Sequence, residues 1–156
     1  MNAITPSPTT DLSEDTASAL KLWVILNRAH RAIFDRARRS VERHELSLSE
    51  FGVLEVLLAK GPLLVGDLGS RILLTSGSTT YVVDKLVERK LVARRPCPND
   101  RRALYVDLTD EGRELIAQIF PEHAEALRQA MEGLTSEEKQ IAGTMLKRLG
   151  RYADQS

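Results

Sequence analysis

A chain of 156 residues, 42% of them hydrophobic, has room for one compact domain with a modest core, or for one domain with extended arms. Aromatic residues make up only 4%, so that core has to be mostly aliphatic, and a formal net charge of zero speaks against a generic polyanion binder. The lone cysteine, Cys97, excludes an intramolecular disulfide; with nothing resembling a secretory leader or a long apolar span, a cytoplasmic location without membrane association is expected.

Residues 1–12 are rich in Thr, Ser and Pro and are expected to form a disordered tail. Ser13 can cap a helix whose first turn carries Glu14 and Asp15, favourable near the positive end of the helix dipole. No Gly or Pro interrupts it before about Glu45, and its stripe is Leu20, Trp23, Val24, Asn27, His30, Phe34 and Val41. A helix this long in a small protein usually packs against something outside its own domain, most simply a second copy. Ser47 to Glu50 has capping-box spacing and opens a short helix that stops at Gly61-Pro62. A brief strand over 63–65, a short helix over 66–72, a tight turn at Leu73 and Leu74, and a helix capped by Thr75 together make a helix-turn-helix pattern.

That second helix has two faces. Thr79, Val82, Val83, Leu86 and Val87 fall on one side for burial, while Gly77, Tyr81, Asp84, Lys85 and Glu88 fall on the other. Small residues at 76–78 leave its first turn accessible, as a helix pushed end-first into a groove requires. After it come a short apolar run, Arg94 and Arg95, a turn over 96–100, Arg101 and Arg102, and the strand-like ALYVDL, so a hairpin with cationic shoulders follows the helix. Residues 85–102 hold seven Lys or Arg against Glu88 and Asp100, whereas 107–138 hold nine acidic residues against Arg113 and Arg128. Charge is therefore polarised along the chain.

Thr109 begins a further helix through Leu115, Ile116, Ile119 and Phe120, with a kink or break expected at Pro121. Gly133 interrupts the pattern, and Thr135 to Glu138 form a second capping box before a last helix with Ile141, Met145, Leu149 and Tyr152 on one face. An enzyme is not expected: there is no glycine-rich phosphate loop or close metal-ligand cluster, and His30, His44 and His123 lie in separate helices. No cofactor or metal is expected either.

The order of these elements resembles the MarR family of bacterial transcriptional regulators over roughly residues 19–151. The most specific matches are LTSGSTTYVVDKLVERKLVARR and CPNDRRALYVDLTDEGR. The resemblance implies a mainly α (α+β) fold, with a winged helix-turn-helix lobe over 47–109 and dimerisation helices over 13–46 and 110–153. It implies a homodimer that binds a pseudo-palindromic double-stranded DNA operator and usually represses. Ser76, Gly77, Ser78, Thr80, Tyr81 and Lys85 then become candidates for the major groove, where hydroxyls pair with several bases and do not define a sequence. The family's Asp-x-Arg pattern falls on Asp100 and Arg102, the carboxylate steering the guanidinium toward the minor groove, with Arg101 and Arg95 as backbone contacts.

In this family an effector often sits between the dimerisation helices and the DNA-binding lobe, which makes Asn27, His30, Phe34 and Phe51 candidates for an aromatic or phenolic ligand. A satisfied polar pair in a dimer interface accounts for Asn27 and His30 equally well. The wording TSGSTTYVVDKL with CPNDRR resembles a branch whose members sense quinones or related phenolics. Peroxide-sensing members use a cysteine in the first helix, which is missing here; Cys97 lies in the wing turn near several arginines, and a redox role for it is left open. The alternative reading is a winged helix that binds protein and not DNA, since fold alone does not fix function.

Overall fold

The structure is a computed structural model that describes residues 12–72, 76–98 and 100–155. The expected N-terminal tail, the turn at Leu73 and Leu74 and the cap at Thr75 lie outside the described residues, apart from Leu12. Two compact units are present, one ending at Asp35 and one beginning at Arg36.

The first unit is the leading part of helix α1 (Glu14–Glu42). Ser13 starts it as expected, its hydroxyl accepting the Thr16 N–H at 3.2 Å. Leu20, Leu22, Trp23, Val24, Ile25 and Phe34 are all exposed, Trp23 by 65%. Helix α1 ends at Glu42 and not near Glu45, because the chain tightens into turns (His44 N–H to Val41 O and Glu45 N–H to Glu42 O, both 3.0 Å) and Glu45 adopts a left-handed φ of 57°.

In the second unit α2 (Leu48–Lys60) carries the expected capping box: Ser47 Oγ accepts the Glu50 N–H at 3.1 Å, and Glu50 Oε2 accepts the Ser47 N–H at 2.7 Å. Gly61, at φ 77°, stops it. Strand β1 (Leu63–Leu64) leads into α3 (Val65–Arg71), and α4 (Ser76–Glu88) follows. Strands β2 (Val92–Cys97) and β3 (Asp100–Leu108) form the hairpin, and β1 joins on the far side of β3, giving an antiparallel sheet in the order β1-β3-β2. Side chains alternate along β3, so Val106 and Leu108 reach the core while Tyr105 and Asp107, on the other face, are only half-buried; nearer the hairpin tip Arg102 and Leu104 are exposed.

The core lies where α2, α3, α4, the sheet and α5 (Asp110–Ala130) converge. Leu46, Phe51, Val53, Leu54, Leu57, Leu68, Val83, Leu86, Val92, Val106, Ile116 and Ile119 are fully enclosed there. Phe51 is the one aromatic among them, in line with the aromatic-poor composition. Helix α5 runs through Pro121 without the expected break. The missing N–H removes one hydrogen bond, but Ile116, Ile119 and His123 are anchored in the interior on either side of the proline and hold the helix together.

Helix α6 (Ser136–Asp154) starts at the second capping box, where the Glu138 carboxylate accepts the Thr135 N–H at 2.7 Å; that bond holds Glu138 below the usual carboxylate range. It buries none of its residues, and Ile141, Met145, Leu146, Leu149 and Tyr152 are all exposed. Among the described residues no helix is long and apolar enough to cross a membrane.

Candidate nucleic-acid interface

Helix α4 presents the two faces read from its sequence. Thr79, Val82, Val83 and Leu86 are buried, which fixes the rotation of the helix and turns Gly77, Ser78, Thr80, Tyr81, Asp84 and Lys85 outward. Ser76 opens the helix. Tyr81 is 61% exposed, and the Lys85 ammonium lies 5.0 Å from its ring centroid, a cation–π distance. A hydrogen bond with the Tyr81 side chain holds Lys85 above the ordinary lysine range.

The wing stands beside this helix. Arg94 Nη2 donates to Asp84 Oδ1 at 2.6 Å, tying β2 to the outward face of α4, and Arg95 lies 3.6 Å from Asp107 across the hairpin. Exposed ion pairs of this kind add little stability, so their effect is on orientation. At the tip, the sequence expectation was a carboxylate steering a guanidinium. There Asp100 Oδ1 accepts the backbone N–H of Arg102 at 2.9 Å, so the carboxylate shapes the turn that carries the exposed Arg102 side chain. Arg101 lies in β3, next to Arg102. Cys97 is the last residue of β2, half-buried, opposite Asp100 at a register shift; the thiol pushes the neighbouring Tyr105 phenol up.

The four effector candidates are distributed over both units. In the first, Asn27 Nδ2 donates to the Trp23 carbonyl at 2.8 Å, and His30 and Phe34 meet in a tilted ring contact with centroids 5.6 Å apart. In the second, Phe51 is enclosed in the core with its ring 4.4 Å from that of His123. Sequence reasoning passed over His123. Its Nδ1 is 2.8 Å from Ser40 Oγ, and Ser40 donates its single proton to the Ala37 carbonyl at 2.7 Å, so the imidazole carries its proton on Nδ1 and donates to Ser40. The contact joins the end of α1 to α5, and Phe51 adds α2.

Burial pushes His123 below the ordinary histidine value, opposed by the charge of Glu55. The unfolded chain therefore takes up the proton first, so the stability that neutral His123 supplies is complete above the ordinary value, about 6.5, and is lost as pH falls below it. Denaturation midpoints should fall for the native chain between about pH 7 and about pH 5, and His123→Gln should flatten part of that decline. Coincident pH profiles for the two proteins would remove His123 as a cause.

A short helix followed by an outward-facing helix and a cationic two-stranded wing is a winged helix-turn-helix, a class in which the second helix and the wing form one surface. The MarR family profile matches residues 44–103, which hold α2, α3, α4 and the start of the wing. Over 140 residues the chain is 41% identical to the HTH-type transcriptional regulator MhqR of Bacillus subtilis, covering 90% of this chain and 97% of that one. It is 36% identical to the regulator YkoM of the same organism, covering 90% and 91%. Among solved structures, Sco3205, a MarR family transcriptional regulator from Streptomyces coelicolor in complex with DNA, superposes with a TM-score of 0.80 at 26% identity over 91% of each chain. The chain belongs to the MarR family; it is a transcriptional regulator and not an enzyme.

Proposed function

We propose that this chain is a ligand-responsive repressor that binds a pseudo-palindromic operator as a homodimer, α4 in the major groove and the wing over the adjacent minor groove. The observation that carries the reading is the shared exposed surface of α4 and the wing: hydroxyls and Lys85 on the helix, Arg102 on the hairpin, and Asp84–Arg94 linking the two. Ser76, Gly77, Ser78, Thr80, Tyr81 and Lys85 meet base edges and nearby phosphates, Arg101 and Arg95 meet phosphate, and Arg102 enters the minor groove with Asp100 setting its turn. Sco3205, a relative of similar fold, was solved with DNA, which supports this assignment.

The dimer is supported by apolar surface. Helix α6 buries nothing of its own yet aligns Ile141, Met145, Leu149 and Tyr152, and the first unit exposes Leu20, Trp23, Val24 and Ile25. Exposed apolar faces of this extent mark association surfaces, and two lobes related by a twofold axis engage half-sites on the order of 34 Å apart. The effector is phenolic or quinone-like and meets His30 and Phe34, with Asn27 as a polar neighbour. Such a ligand releases DNA by binding the DNA-incompetent spacing of the lobes more tightly than the competent one.

Salt dependence tests the DNA reading. With three to five phosphates neutralised per lobe, affinity for a matching palindrome falls by roughly 10³ to 10⁵ between 50 and 200 mM salt, because counterions are released on binding. Titration of a labelled duplex at several salt concentrations measures it. A flat response would favour a protein-binding winged helix.

A further inference from the structure

Seven cations lie between Lys85 and Arg102, but Arg89 does not join the outward surface. It follows directly on α4, its N–H donating to the Lys85 carbonyl at 3.1 Å, and its side chain is turned toward the junction of α1 and α2. Arg89 Nη1 donates to the Glu45 carbonyl at 2.7 Å and lies 3.9 Å from Glu50 Oε1. Glu50 is buried, and its other oxygen closes the cap of α2. Glu45 is the left-handed residue of the turn that ends α1, so one guanidinium bonds to the turn after α1 and faces the cap of α2 together.

The opposite flank of the same helix end is held as well. Lys90 turns left-handed at φ 59°, its carbonyl accepts the Thr109 hydroxyl at 2.6 Å, and the Leu91 carbonyl accepts the Thr109 N–H at 3.1 Å. Thr109 is the N-cap of α5. The C-terminal end of α4 is thus gripped from the α1–α2 junction on one side and from α5 on the other. Thirteen residues make α4 about 20 Å long, so a tilt of about 10° at the gripped end moves the other end by about 3 Å, comparable to a whole hydrogen-bond length.

We infer that Arg89 is a positioning residue that sets the angle of the DNA-facing helix against the α1–α2 junction and passes movement of that junction to the helix. The inference rests on the DNA-binding reading above. It separates Arg89 from Lys85 and Arg102, which act on the duplex by charge.

The test uses the full chain with Arg89→Ala and Arg89→Gln, the second retaining a side-chain donor. Each is titrated against a duplex selected by the wild-type protein from random-sequence DNA, and against an unselected duplex, at several salt concentrations. Arg89→Ala should lower affinity for the selected duplex about tenfold or more, within the 5- to 150-fold range of ordinary coupling between sites. Binding to the unselected duplex and the salt slope should stay as in the wild type, and Arg89→Gln should recover part of the loss. Equal loss on both duplexes, with the slope reduced by about 0.9 per lobe, would make Arg89 a phosphate contact and overturn the inference, as would unchanged selectivity in both variants. Wild-type protein without salt-dependent binding to any duplex overturns the DNA reading itself, and this inference with it.

Discussion

Substituting alanine for Gly112 destabilises the protein by about 3 kcal/mol or more, the upper range for forcing extra atoms into a packed site. A Cβ at this position would stand 1.9 Å from the Leu91 carbonyl oxygen, 2.8 Å from its carbon and 3.2 Å from the Leu91 Cα. These are backbone atoms and cannot rotate aside. Leu91 is held in place because its carbonyl accepts the Thr109 N–H, and Gly112 itself donates to Thr109 Oγ1 at 3.0 Å. Helix propensity works in the opposite direction, alanine being better than glycine by about 1 kcal/mol in a helix interior, and is outweighed by the clash. Gly150→Ala in α6 is the control, since nothing lies within 4 Å of the added carbon. Urea midpoints read both: Gly112→Ala should shift far down and Gly150→Ala should hold or rise. A Gly112→Ala midpoint close to the wild-type value would show that the hairpin end gives way freely.

Gly112 also marks what the sequence could not reveal. Read along the chain it is one residue of the helix-opening TDEG; its necessity comes from a carbonyl far upstream, brought there by the pairing of β2 with β3. Features with a local cause were legible. The capping boxes at Ser47 and Thr135, the stop at Gly61 and the two faces of α4 depend on side chains three or four residues apart or on backbone freedom at one residue, and each is found where the spacing put it. Partnerships between elements were not legible. Nothing in the spacing of Arg89, Arg94 and Arg95 distinguishes a cation bonded to the α1–α2 junction from cations paired with Asp84 and Asp107. Likewise Pro121 reads locally as a breaker, and only the anchoring of Ile119 and His123 beside it explains a helix that continues.

This sorting of the cations changes what the charge count means. Arg89 is bonded to the α1–α2 junction, while Arg94 and Arg95 are held beside carboxylates at the base of the wing. Lys85 on α4 and Arg102 near the wing tip are exposed, and on the function proposed above each is aimed at one groove of the duplex. Position and not the sum of charge is therefore what suits a chain of zero net charge to DNA, and substitutions at the tip should have a larger effect than substitutions of equal charge at the wing base.

Arg102→Ala is accordingly expected to lower operator affinity about a hundredfold while leaving dimer and fold intact. One lost contact of about 1.4 kcal/mol is a factor of ten, and a symmetric dimer loses it twice. The salt slope should fall by about 1.8, two contacts at 0.9 each. Stability should stay within about 0.5 kcal/mol, because the side chain is exposed and buries no core. Asp100→Ala separates position from charge. Removing a carboxylate close to phosphate favours binding electrostatically, yet it also removes the acceptor that fixes the Arg102 backbone at 2.9 Å. If the turn matters more, affinity falls even though the protein becomes more positive, and the salt slope does not drop. Electrophoretic or fluorescence titration of both variants, with sedimentation to establish the dimer, decides the matter. Unchanged operator affinity in Arg102→Ala would remove the wing from the interface, and tighter binding by Asp100→Ala would show that its carboxylate acts by repulsion alone.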